Sequence, residues 1–97
     1  YVSGQLPIDP ASGTMPDTVE QQTEQALRNV EAILSEAGYS LSDVVKSVVL
    51  LADMNDFAAM NVVYARFYAK DMPARVCYEV GRLPMGARVE IETIAVK

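Results

Sequence analysis

The stretch VVKSVVLL, residues 44–51, decides the fold class of this chain. Its valines are β-branched, its length is that of an ordinary strand, and few of its residues are polar. A short apolar run of this kind is typical of a strand buried on both faces or nearly so. We therefore predict that residues 44–51 form a central strand around which the other elements pack.

The segment before this strand predicts an amphipathic helix over about residues 18–37. Asp17 and Glu20 have the spacing of a capping box at a helix start. Gly38 stands where a left-handed residue would end the helix. Apolar residues recur on one face of this helix, at Val19, Ala26, Leu27, Val30, Ile33, Leu34 and Ala37.

A second amphipathic helix is predicted after the central strand, in DMNDFAAMNVVYARFYAKD, residues 53–71. Either Asp53 or Asn55 is available as its N-terminal cap. Large apolar residues recur at helical spacing, at Phe57, Met60, Tyr64, Phe67 and Tyr68. Aromatic and Met side chains at this spacing are typical of a hydrophobic core rather than of a cofactor site.

The two ends of the chain are rich in strand-forming residues. Residues 1–6 predict a short strand that is closed by turn formers, and Pro73 ends the second helical segment. Two further strands are predicted at about residues 75–80 and 88–96. The connection between them, GRLPMGA, contains the turn formers Gly81, Pro84 and Gly86 and favours a hairpin-like link.

The predicted order of elements is β-α-β-α-β-β. Helices that alternate with strands, followed by a pair of adjacent strands, indicate an α+β sandwich with one sheet and both helices on one face. Its 97 residues are expected to form one domain, residues 1–97. Since the chain opens directly in a strand-like segment without Met, we expect that an N-terminal strand and loop are missing before Tyr1.

Composition limits the possible functions. The chain has 8 Lys and Arg, 13 Asp and Glu, and a net charge of -5, so it is a poor candidate for a generic nucleic-acid binder. It has no His, which excludes histidine-based triads and imidazole-rich metal sites. The single Cys77 permits no internal disulfide. No run approaches the about 18 apolar residues of a membrane span, so we expect a soluble, cytoplasmic protein.

Polar side chains alternate along the last two predicted strands. Arg75, Cys77 and Glu79 share one side of their strand. On the last strand Glu90 and Glu92 share a side with Arg88. These polar rows fit the solvated face of an open sheet. They also fit a subunit interface that contains a pocket, because a Cys lies between the two charges and Ile94 and Val96 make the same face of the last strand partly apolar.

Three of these residues are candidates for catalysis in such a pocket. Arg75 is suited to hold a carboxylate through two parallel, charge-assisted hydrogen bonds. Glu90 could position or deprotonate a water molecule. Cys77 is either a nucleophile or a wall of the pocket, and the absence of an adjacent base favours the wall.

The sequence resembles the RidA/YjgF family of reactive-intermediate deaminases over nearly its whole length. The resemblance rests on YVSGQLPIDP (1–10), QALRNVEAIL (25–34), DVVKSVVLLADMNDFAAMNVVYARFY (43–68) and PARVCYEVGRLPMGARVEIETIAV (73–96). The combination of the PARxCxEVxRLP pattern with the following VEIE is specific to the family.

This resemblance implies a chorismate-mutase-like α+β fold, assembled as a homotrimer with pockets at the subunit clefts. It implies a hydrolase of the 2-iminobutanoate/2-iminopropanoate deaminase type, which converts enamines and imines such as 2-aminoacrylate to 2-oxo acids and ammonia without a cofactor or a metal. Arg75 is similar to the family's carboxylate anchor, Cys77 to a pocket residue, and Glu90 to the residue that holds the attacking water. Gly4 and Asn61 match substrate-binding positions of the pocket.

The sequence differs from the family at its start, because the GPYSQ-like motif whose tyrosine reaches the pocket is not found before Tyr1. This difference keeps open a second function, a non-catalytic module of the same fold that binds small carboxylates. A third function is a ribonuclease or translation inhibitor, as some relatives have been described. The net charge of -5 argues against this third function, and we expect no nucleic-acid or membrane partner.

Overall fold

A computed structural model describes residues 1–70 and 72–97 of the chain. It contains four strands and two α-helices in the predicted order. The elements are β1 (Val2–Gln5), α1 (Val19–Glu36), β2 (Val44–Leu51), α2 (Phe57–Phe67), β3 (Ala74–Glu79) and β4 (Val89–Ala95). Asp71, the last residue of the predicted helical segment 53–71, lies outside the described residues.

The four strands form one mixed sheet in the order β1-β4-β2-β3. β2 runs parallel to β3 and antiparallel to β4, and β1 pairs with β4. β2 is thus a central strand, as VVKSVVLL predicts. The expected burial on both faces is wrong, because only residues 44, 47, 49 and 51 are buried and the residues between them are exposed or half-buried. The predicted hairpin between the last two strands is wrong, because β2 lies between β3 and β4. Helix α2 is the crossover that a parallel β2–β3 pair requires, and β4 takes the free side of β2.

Both helices pack on one face of this sheet. Val49 and Leu51 of β2 are fully buried beneath the helices, as are Val89 and Ile91 of β4. The helices contribute Ala26, Leu27, Val30, Met60 and Tyr64 to the same core. This arrangement confirms the predicted α+β architecture of two helices on one mixed sheet. Within the part of the chain that the structure describes, no helix is long and apolar enough to cross a membrane.

The opposite face of the sheet carries no helix, and we call it the open face. Aligned positions of β3, β2 and β4 place nine side chains there: Lys46, Val48, Leu50, Ala74, Val76, Tyr78, Glu90, Glu92 and Ile94. Three large apolar side chains of this face are well exposed, since Val76 is 45% exposed, Tyr78 49% and Ile94 40%. The open face is therefore a mixed apolar and charged surface.

Helix α1 begins one residue later than the capping box predicted. Its N-cap is Thr18, whose hydroxyl accepts a hydrogen bond of 3.1 Å from the Gln21 backbone N–H. Asp17 is therefore not the cap. The predicted end of the helix is confirmed, because Gly38 has a φ of +81° and the Tyr39 N–H donates back to the Leu34 carbonyl at 2.8 Å.

Candidate functional site

Arg75 lies on the helix-covered face of β3 and is held by side chains of α2. Its Nη1 donates a hydrogen bond of 2.6 Å to Oδ1 of Asn61. The guanidinium carbon lies 4.7 Å from the ring centroid of Tyr64 and 5.5 Å from that of Phe57. Positions 57, 61 and 64 share one face of α2, because they are spaced by about one helical turn. One strand residue is thus enclosed by three side chains of a single helix.

The positive charge of Arg75 has no carboxylate partner among residues 1–70 and 72–97, where the ion pairs are Arg28 with Glu24 and Arg88 with Asp56. Arg75 is also only partly buried. A guanidinium has five N–H donors, and the hydrogen bond to Asn61 uses one of them. The remaining donors make Arg75 available for an anion from outside the chain.

Cys77 lies two residues further along β3, on the same face as Arg75. The side chain is partly buried against the hydrophobic core. Burial raises the pKa of the Cys77 thiol, and the nearby Arg75 charge opposes this effect without overcoming it. A raised pKa keeps the thiol protonated near neutral pH, which favours the pocket-wall role over the nucleophile role.

Glu79, the third member of the predicted polar row, has a structural contact. Its Oε1 accepts a hydrogen bond of 2.9 Å from the backbone N–H of Met54, in the turn before α2. Asp53 caps the same turn by accepting from the Asn55 N–H at 2.9 Å. The prediction that Asp53 or Asn55 caps α2 is therefore wrong, because the N-cap position of α2 is Asp56 and Asp53 caps only the short turn before it.

Gly4 and Glu90 meet on the open face, where β1 pairs with β4. A Cβ atom at Gly4 would stand 2.9 Å from Cδ of Glu90 and would collide with its carboxylate. Gly4 does not have a positive φ, so its backbone conformation does not require a glycine. The lack of room for a Cβ atom beside Glu90 does. On the same face, the hydroxyl of Tyr1 donates to Glu92, and this hydrogen bond raises the pKa of the Tyr1 phenol.

The structure divides the five predicted site residues into two groups. We call Phe57, Asn61, Tyr64, Arg75 and Cys77 the arginine cluster, and Gly4 and Glu90 the glutamate cluster. The polar row on β3 and the polar row on β4 were expected to lie on neighbouring strands. This expectation is wrong, because β2 separates the two strands, and the two rows face opposite sides of the sheet. Ser47 of β2 pairs with Arg75 on one side and with Thr93 on the other, so Arg75 shares a face with Thr93 rather than with Glu90 or Glu92.

Two members of the arginine cluster were not predicted as site residues. Phe57 and Tyr64 were assigned to the hydrophobic core, and Tyr64 is indeed 1% exposed. The sequence did contain one indication that they belong to the site, because positions 57 and 64 lie about one helical turn before and after Asn61. This indication becomes informative only when the β2–β3 register places Arg75 beside α2.

A large surface depression does not coincide with either cluster. It has a volume of about 710 Å³ and follows the loop between β3 and β4, lined by Ala52 and residues 81–87. None of the predicted site residues lines this depression. The candidate site of this chain is therefore identified by the chemistry of the two clusters and not by the size of a cavity.

Comparison with known proteins gives a consistent set of relatives. The family model described as Endoribonuclease L-PSP matches residues 1–97. A goat protein named 2-iminobutanoate/2-iminopropanoate deaminase is 52% identical over 98 residues, covering 100% of this chain and 72% of the relative.

Solved structures agree with this set. The crystal structure of the YjgF gene product from E. coli has a TM-score of 0.95 and 44% identity, covering 98% of this chain and 77% of that one. E. coli TdcF, solved with bound serine, has a TM-score of 0.95 and 43% identity, with the same coverage of 98% and 77%. Relatives described as deaminases and a family model described as an endoribonuclease thus match the same residues.

Proposed function

The chain belongs to the RidA/YjgF family, and from this premise we propose that it hydrolyses reactive enamines and imines of the 2-aminoacrylate class to 2-oxo acids and ammonia. The name of the goat relative, a 2-iminobutanoate/2-iminopropanoate deaminase, supports this reaction. The observation that carries the proposal is Arg75, a partly buried guanidinium without a carboxylate partner among the described residues.

Arg75 is the proposed anchor for the substrate carboxylate. Charge-assisted hydrogen bonds from a guanidinium to a carboxylate are strong and planar, so they fix both the position and the orientation of a small acid. Asn61 holds Nη1 at 2.6 Å and limits the rotation of the guanidinium. The bound serine of TdcF, itself a small carboxylate, is consistent with an anchor of this kind in the family.

The chemical step consumes one water molecule. In the proposed mechanism the water is held by the Glu90 carboxylate, attacks the imine carbon and forms a tetrahedral carbinolamine. Glu90 accepts one proton of the water and passes it to the nitrogen, which completes the carbinolamine. The carbinolamine hydroxyl then gives its proton through Glu90 to the nitrogen, so that the C=O bond forms, the C–N bond breaks and ammonia leaves with its electron pair. Arg75 contributes by orienting the substrate, and Cys77 forms part of the wall as a neutral thiol.

A complete site requires a second copy of the chain in this proposal. Arg75 lies on the helix-covered face and Glu90 on the open face, with β2 between their strands, so a single chain does not direct both side chains into one cleft. We propose that a homotrimer brings the glutamate cluster of one subunit to the arginine cluster of its neighbour. The exposed apolar side chains Val76, Tyr78 and Ile94 supply a surface for this association.

The proposal is tested by generating 2-aminoacrylate in situ and following the release of the 2-oxo acid. We expect the chain to accelerate this release, and Arg75→Ala to lower kcat/KM by about 10- to 100-fold, the value of a charge-assisted hydrogen bond. Arg28→Ala is the matched control, because Arg28 is an exposed arginine already paired with Glu24. An acceleration that survives Arg75→Ala would show that the anchor is assigned incorrectly.

A second candidate function is a small-carboxylate binding module with little turnover. It is favoured by the arginine cluster, which is assembled within one chain while Glu90 lies on the other face. Calorimetry with 2-oxobutyrate beside the turnover assay separates the two functions, since tight binding without rate acceleration is the signature of the module.

The description of the family model favours a third candidate, an endoribonuclease. The net charge of -5 opposes it, because RNA binding depends on the neutralisation of phosphates. Cleavage of RNA that persists through purification and disappears with Arg75→Ala would favour this candidate over the deaminase.

A further inference from the structure

The aromatic ring of Tyr64 lies beneath the guanidinium of Arg75. The guanidinium carbon lies 4.7 Å from the centroid of the Tyr64 ring, closer than to any other aromatic ring it contacts. The Tyr64 side chain is 1% exposed, and its ring lies 4.8 Å from the ring of Tyr68. One side of Tyr64 is thus packed in the core, and the face of its ring contacts a cation.

The hydroxyl group of Tyr64 does not explain its position. This hydroxyl is buried without a hydrogen-bond partner among the described residues, since even the nearby Ser47 hydroxyl lies outside bonding geometry. Burial raises the pKa of the Tyr64 phenol, and the nearby Arg75 charge opposes this effect without overcoming it. The phenol therefore stays neutral, and the interaction with Arg75 comes from the face of the ring.

From this arrangement we propose that Tyr64 is a positioning residue that orients Arg75 to receive the substrate carboxylate. The inference rests on the proposed function, because it assumes that Arg75 is the anchor. A long arginine side chain loses rotamer freedom when it grips a ligand, and a ring beneath the guanidinium together with Asn61 removes that freedom in advance. Tyr64 thus acts through Arg75 and does not touch the substrate.

The first experiment separates the ring from the hydroxyl. Tyr64→Phe keeps the ring and removes only the unpartnered hydroxyl, so the Kd for 2-oxobutyrate should change by less than about twofold. Tyr64→Leu removes the ring and should raise this Kd by about 3- to 30-fold, the range of a cation–π contact. In turnover, we expect Tyr64→Leu to raise KM more than it lowers kcat.

A series of ring-fluorinated phenylalanines at position 64 covers the case in which Tyr64→Leu fails to fold. Fluorine atoms withdraw electron density from the ring face and weaken its attraction for a cation, with little change in ring shape. The Kd for 2-oxobutyrate should rise stepwise with the number of fluorines. The Kd for the methyl ester of 2-oxobutyrate, which lacks the carboxylate charge, should stay constant through the series.

Phe67→Leu is the matched control for the loss of a ring beneath an arginine. Phe67 lies on the same helix and carries the guanidinium of Arg28 at 5.8 Å from its centroid, outside the arginine cluster. We expect this variant to leave the Kd for 2-oxobutyrate unchanged.

The outcomes distinguish the inference from the proposed function. If Arg75→Ala leaves the Kd for 2-oxobutyrate unchanged, the anchor itself is wrong and the proposed function fails with it. If Arg75→Ala weakens binding while the fluorinated series leaves the Kd constant, the anchor stands and the role of Tyr64 is refuted.

Discussion

Gly4 shows how a single residue without a side chain shapes the glutamate cluster. It lies opposite Glu90 on the open face, and the Glu90 carboxylate occupies the space that a Cβ atom would need. The colliding group is the end of a flexible side chain and not a backbone atom, so the fold can adapt to a larger residue. The position of the carboxylate, however, cannot be kept.

We therefore predict that Gly4→Ala lowers deaminase activity without unfolding the chain. Displacing the Glu90 carboxylate should reduce kcat/KM by about 10- to 100-fold, as expected when a catalytic group is misplaced. The free energy of unfolding should change by less than about 1 kcal/mol, because alanine is otherwise favoured over glycine within a strand. Turnover assays and urea unfolding measure the two quantities.

Gly81→Ala is the control, since no atom lies within 4 Å of a Cβ placed there and its φ is not positive. Equal activity losses in both variants would contradict the specific role of the space beside Glu90.

At the scale of the element, the start of α1 depends on a side chain that the sequence pattern did not select. Thr18 adopts an extended backbone conformation, and its hydroxyl satisfies the free N–H of Gln21. Asp17 precedes the cap and makes no such bond within the described part of the chain. The helix in turn holds the loop after β1, because Nδ2 of Asn29 donates to the carbonyls of Leu6 at 3.0 Å and Ile8 at 2.9 Å.

We predict that Thr18→Ala lowers the free energy of unfolding by about 1 kcal/mol, the usual value of a lost N-terminal cap. Asp17→Ala is the matched control at the neighbouring position, and its effect should be clearly smaller. Urea unfolding followed by circular dichroism gives both values. A larger loss from Asp17→Ala would mean that the capping box has been assigned correctly from the sequence and that Thr18 is not the cap.

At the scale of the whole molecule, the two clusters lie on opposite faces of one sheet. The open face exposes Val76, Tyr78 and Ile94 beside the charges of Glu90, Glu92 and Lys46. In the proposed trimer these apolar side chains are buried between copies. Each site then takes its arginine cluster from one copy and its glutamate cluster from the next.

A mixing experiment tests this shared site. Arg75→Ala and Glu90→Gln should each have strongly reduced activity alone, because every site lacks one of the two groups. When the two variants are unfolded together, mixed and refolded, about a quarter of the sites in random trimers should regain both groups. The measurement is the recovered turnover of 2-aminoacrylate per subunit.

If both groups of a site came from one chain, no mixed trimer could contain an intact site. The absence of recovered activity in trimers verified by light scattering would therefore contradict the shared site. Mixing either variant with itself gives the baseline.

Residues 44–51 and the helix before them show how far local pattern determines this fold. The β-branched run became β2 with the predicted bounds, and the 3.6-residue period from Val19 to Leu34 became α1. Both signals arise from contacts between near neighbours in the sequence, so they can be read without the tertiary structure. The alternation of Arg75 and Cys77 with Val76 and Tyr78 was equally local and is confirmed by the burial of β3.

The tertiary structure decided which strands are neighbours and hence which side chains face one another. The two-residue alternation of side chains divides the residues of a strand between its two faces. It does not show which face of one strand lies on the same side of the sheet as a given face of another strand. That relation depends on strand order and register, which are set by contacts far apart in sequence. The sequence by itself therefore determined the elements and the family of this chain, while only the packing of β3 beside β2 joined Arg75 to Asn61 and Tyr64 and placed Glu90 on the other face.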